Sequence, residues 1–93
     1  MFHITLRAPE IAWGLVTELI DRAPSEYALG YFAAGPLEDL LSDHGPSLID
    51  RVEQRAWENP TFLRAVGSLH RLGMTDDVWV RVQFLKVAAE RNR

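Results

Sequence analysis

Glu38, Asp39, Asp43 and His44 bring three carboxylates and an imidazole into seven consecutive residues. Such a set could hold a metal ion or pass a proton if the side chains faced one point. Helical spacing works against that, because adjacent residues do not share a helix face and Glu38 and Asp39 cannot both aim at one ligand. A simpler account places the two acids in the first turn of a helix opening at Pro36, where carboxylates meet free N–H groups. His44 then falls in the last turn, where positive charge is favoured. A metal-dependent or hydrolytic site around Glu38, Asp39 and His44 is therefore the third of three functional readings.

The remaining chemistry-bearing residues are isolated. His70 follows Phe62, Val66 and Leu69 at helical spacing and is expected on or beside the apolar stripe as a hydrogen-bonded core histidine, since no second His or Cys is spaced to complete a metal set. Ser25, Ser42, Ser47 and Ser68 sit in no nucleophile motif, and no glycine-rich phosphate loop occurs. The chain has no cysteine, hence no thiol nucleophile, thiolate site or disulfide. No cofactor is expected, and an enzyme is not the favoured reading.

Pro and Gly recur along the chain with helical apolar patterns between them, so each interval predicts a helix. The first runs from Pro9 to Arg22 with Ile11, Ala12, Leu15, Val16 and Leu19 on its stripe and Trp13 beside it. Pro24 and Ser25 open the second, through Tyr27, Ala28, Tyr31 and Phe32, with Gly35 as a left-handed cap. The third runs from Pro36 to His44 and buries Leu37, Leu40 and Leu41, ended by Gly45-Pro46. The fourth, Ser47 to Asn59, carries Leu48, Ile49, Val52 and Ala56, with Trp57 at the edge and Asp50, Arg51, Glu53, Gln54 and Arg55 as a solvated face. Asn59-Pro60 caps a fifth, through Phe62, Leu63, Val66 and Leu69 to Leu72, with Gly73 as terminator. Thr75 caps a sixth, with Asp76 and Asp77 in its first turn and a reach to Arg91.

Residues 78–84 also alternate with a strand period, as do Phe2, Ile4 and Leu6, and the two could pair as edge strands. Helix is preferred for 75–91, because no turn residue separates the Thr-Asp-Asp start from Lys86-Val87-Ala88-Ala89. The expected fold is all-α: one domain over 1–93, with 1–8 as an arm that could be extended, forming a compact bundle or a short right-handed stack of about five to six short helices. Aromatics at helical spacing belong mainly to a core, but three tryptophans are many for 93 residues, so some of Trp13, Trp57 and Trp79 should be partly exposed.

The string from Ala33 to Gly45, with Gly35-Pro36-Leu37-Glu38-Asp39-Leu40-Leu41 at its centre, resembles the mark of a family of small bacterial helical domains of uncharacterised function. The resemblance extends back to Ala12-Trp13 and Glu18-Leu19-Ile20. It extends forward through Ile49 to Glu53, Asn59-Pro60-Thr61-Phe62, Arg64-Ala65 and Trp79 with Arg81-Val82, spanning residues 8–85. It implies an all-helical fold and brings no activity. Where that family usually carries a tryptophan late in the fifth helix, this chain has Leu69-His70.

A net charge of −3 and a pI of about 5.5 argue against a broad grip on phosphate backbones, so no direct nucleic-acid binding is expected. No apolar run is long enough to span a membrane and the N-terminus has no signal pattern, so the expected location is the cytoplasm. The last helix is the sharpest clue. Val78, Val82, Leu85 and Ala89 mark one stripe while Val80, Phe84 and Val87 mark another on the far side. Such a helix is either central to the fold or offers its spare face to a partner. The leading expectation is a non-enzymatic protein-interaction module, homo-oligomeric or docked on a larger assembly, using Trp79, Val80, Phe84 and Val87. The alternative is a small acidic inhibitor or immunity-type protein, for example against a nucleic-acid-handling defence complex in the manner of an anti-CRISPR. Asp39, Asp43, Asp50, Glu53, Glu58, Asp76 and Asp77 would supply its charge.

Overall fold

The computed structural model describes residues 9–91, apart from the side chains of residues 26 and 31–34. The alternating Phe2, Ile4 and Leu6, and the arm over 1–8, lie outside the described residues, as do the side chains of Tyr31 and Phe32. Within the described residues every regular element is helical and no strand forms, so the strand reading of 78–84 is overturned. The elements are α1 (Pro9–Asp21), α2 (Glu26–Phe32), a π-helical turn (Ala33–Leu37), α3 (Glu38–Glu58), α4 (Pro60–Val66) and α5 (Asp76–Arg91). They form four continuous helical stretches, 9–21, 26–58, 60–66 and 76–91, where about five to six separate helices were expected. The difference arises because Gly35-Pro36 and Gly45-Pro46 bend the chain without ending the helix.

At the first of these junctions the backbone widens into the π turn, and Gly35 is not a left-handed cap, since no described glycine has positive φ. At the second, Pro46 lacks an N–H and its ring crowds the carbonyl four residues back, so α3 kinks. The kink falls at His44 (φ −135°, ψ 23°), whose carbonyl accepts the Ser47 hydroxyl at 3.0 Å. Gly45 is buried in the bend, where a Cβ would lie 2.9 Å from Val78 Cγ2. The glycine thus lets the start of α5 press against α3.

Asn59 caps α4 as predicted, its Oδ1 accepting the N–H groups of Thr61 and Phe62 at 3.0 and 3.2 Å ahead of Pro60. The helix ends at Val66 rather than Leu72, and the positive φ in the following loop falls on Leu72 (48°) rather than on Gly73. Thr75 then precedes α5, its Oγ1 accepting the Val78 N–H at 3.4 Å.

One apolar cluster runs through the described helices, from Ala12, Val16 and Ile20 of α1 to Val82 and Leu85 of α5. The buried stripe of α1 is thus rotated from the expected one, and Ile11 and Leu15 face outward. Trp13 lies half-buried, edge-on to Phe62 at 5.8 Å, while Trp57 is exposed. The polar face of α3 is not simply solvated. Arg51 grips Glu10 of α1 through two bonds of 2.6 and 2.8 Å, Arg55 reaches Asp21 at 2.6 Å, and Asp50 and Glu53 both take Arg81 of α5. These residues bridge α3 to its neighbours on either side.

Candidate functional site

Alpha-helical geometry places Asp77, Val80, Phe84, Val87 and Arg91 within an arc of about 80° on α5, opposite the arc of Val78, Val82, Leu85 and Ala89. The second set is buried; in the first, Val80, Phe84 and Val87 are 49%, 72% and 51% exposed. Both flanks of the helix are tied down, which fixes this rotation. On one side Arg81 donates through Nε to Glu53 Oε2 at 2.8 Å and through Nη2 to Glu53 Oε1 and Asp50 Oδ1 at 2.5 Å each. On the other, Lys86 Nζ donates to the carbonyls of Gly67 and Leu69 at 3.2 and 2.5 Å, and lies 5.9 Å from the centre of the Trp79 ring. Rolling α5 to hide Phe84 would break these contacts and expose the core stripe.

Trp79, grouped with these residues by the sequence, is half-buried, packs against the core and meets Lys86 instead of pointing outward. Val80, Phe84 and Val87 therefore form the stripe without it. Sequence reading missed its charged ends. Asp77 and Arg91 each stand seven residues from Phe84, and a seven-residue step returns a side chain to nearly the same helical face. Beside the stripe, Val87 also lines a cavity of about 340 Å³ with Leu29, Arg64, Ser68 and Lys86. The ammonium there is already bonded to the two loop carbonyls.

Within the polar set, Glu38 does more than supply charge in the first turn of a helix. Glu38 is buried and reaches across to the α4–α5 loop, its Oε2 accepting the His70 N–H at 2.6 Å and lying 3.2 Å from His70 Nδ1. It anchors a loop thirty-two residues away. His70 is accordingly not a core histidine, since its side chain is 83% exposed. Asp39 and His44 are half-buried and Asp43 is exposed. Among the described residues no three His, Cys, Asp or Glu side chains converge in a way that could hold a metal ion. None of their helices is long and apolar enough to cross a membrane.

A family model described as a family of unknown function, DUF6869, matches residues 1–90. The chain belongs to that uncharacterised family, and the match runs past the 8–85 covered by the sequence resemblance. No curated protein and no solved structure matches it.

Proposed function

Starting from membership in a family with no assigned activity, we propose that the protein is a non-enzymatic interaction module that presents the outer stripe of α5 to a protein partner. One observation carries this reading: Val80, Phe84 and Val87 stand exposed together on a helix whose rotation is fixed from both flanks. Apolar side chains gathered on one rigid face gain free energy when a partner excludes water from them, and a central aromatic is the usual anchor of such a contact. The acidic-inhibitor reading has weaker support. Asp50 and Glu53 share the single guanidinium of Arg81, and Asp76 pairs with Arg71, so part of the acidic charge is already engaged within the chain.

The test is site-specific photocrosslinking in the native host, with a photoreactive phenylalanine analogue at position 84 and, as control, at the exposed Glu58. A discrete adduct from position 84 and none from position 58 is the expected result. No adduct from 80, 84 or 87 above the control would overturn the reading.

A further inference from the structure

We infer that the occupant of the α5 stripe is a second copy of this chain, crossing α5 antiparallel at Phe84. This rests on the interaction-module reading and names its partner. The order of side chains along the stripe carries the inference. An acid, Asp77, stands at one end, a base, Arg91, at the other, and Phe84 lies midway, with Val80 and Val87 flanking it. At 1.5 Å rise per residue the charged ends are about 21 Å apart, each half that distance from Phe84.

A two-fold axis at Phe84 therefore brings Asp77 of each copy opposite Arg91 of the other, twice, with the two phenylalanines and their valines between. Every group on the stripe then meets its complement, as an isologous contact requires. A parallel pairing would instead set Asp77 against Asp77 and Arg91 against Arg91, and would align the two helix dipoles unfavourably. Within the described residues of its own chain, neither Asp77 nor Arg91 forms an ion pair, whereas the neighbouring Asp76 is held by Arg71. The flanking Arg81 is already held by Glu53 and Asp50 and does not compete for Asp77.

A contact made by one helix face is small beside a standard interface, so the dimer belongs in the micromolar range or weaker. Sedimentation velocity of the purified protein up to about 500 µM covers that range. The expected result is a concentration-dependent dimer that Phe84→Glu weakens by at least about tenfold. Asp77→Arg alone and Arg91→Asp alone should each weaken it several-fold, since each gives a homodimer with two like-charge pairs. An equimolar mixture of these two variants should recover the wild-type affinity, as should the double exchange within one chain. A parallel pairing, in which the wild type already sets like charges together, would instead leave the single variants no weaker than wild type and make the mixture tighter than it. A wild-type chain that stays monomeric over the whole range overturns the inference, as does a dimer indifferent to Phe84→Glu. Failure of both rescues overturns the antiparallel pairing. If the chain is monomeric while position 84 crosslinks to a protein of another mass, the interaction-module reading stands and the second copy falls.

Discussion

Gly45 and Val78 meet where the kink of α3 receives the first turn of α5. Replacing Gly45 with alanine would normally favour a helix by about 0.5–1 kcal/mol. Here the new methyl would lie 2.9 Å and 3.1 Å from the two γ-carbons of Val78. Val78 is buried and β-branched, so it cannot swing aside, and the overpacking cost of about 1–3 kcal/mol should outweigh the helical gain. Urea unfolding should show Gly45→Ala less stable than wild type. Adding Val78→Ala should remove the clash, leaving the double variant more stable than the sum of the two single losses predicts.

Glu53 gives a second test at this scale. Hydrogen bonds from Arg81 hold its carboxyl below the usual carboxylate range, against a smaller opposing effect of burial. The folded protein thus binds this proton more weakly than the unfolded chain does. The stabilisation is complete above the unfolded titration near about pH 4.3 and is lost as pH falls through the lower folded value. Because the pair is partly solvated, Glu53→Gln should cost only about 0.5 kcal/mol at neutral pH. The gap between wild type and variant in thermal midpoint should close on acidification below pH 4, and a gap independent of pH would contradict this account.

At the scale of elements, the cap of α4 is the cleanest case. Asn59 satisfies two N–H groups of the helix and donates to Asp21 of α1 at 3.3 Å. Asn59→Ala should therefore cost about 1 kcal/mol, readable as a lowered urea midpoint with an unchanged slope. The Asn-Pro pair made this boundary legible, because the cap and the proline act within a few residues of each other. The two stripes of α5 were legible for the same reason, since helical periodicity is a local property. Gly45-Pro46 misled because a proline ends a helix only when nothing compensates. Here the Ser47 hydroxyl and the packing of Val78 hold the bend, and the latter contact spans thirty-three positions. The reach of Glu38 was missed for a like reason: its partner His70 comes from another element, and no pattern around residue 38 points to it. Asp77 and Arg91 were visible in the spacing, but their relation to Phe84 had meaning only once that face was known to be exposed.

Across the whole molecule, two phenylalanines separate what holds the fold from what the fold displays. Phe62 is fully buried, edge-on to Trp13 of α1 and 6.0 Å from the Arg55 guanidinium of α3, so it couples three helices. Phe62→Ala should cost about 3–5 kcal/mol, a large share of the roughly 5–14 kcal/mol available to a domain of this size. That corresponds to a fall in thermal midpoint of roughly 15–30 °C, seen equally by far-UV and near-UV circular dichroism if the core unfolds as one unit. Phe84 touches none of that network. At a concentration too low for self-association, Phe84→Ala should unfold within about 0.5 kcal/mol of wild type. Raising the concentration should then separate the two, because association of folded chains lifts the wild-type midpoint by mass action and leaves the variant where it was. A midpoint for Phe84→Ala that is low at every concentration would place this side chain in the fold itself. A divergence that appears only on concentration would assign it to contact between chains.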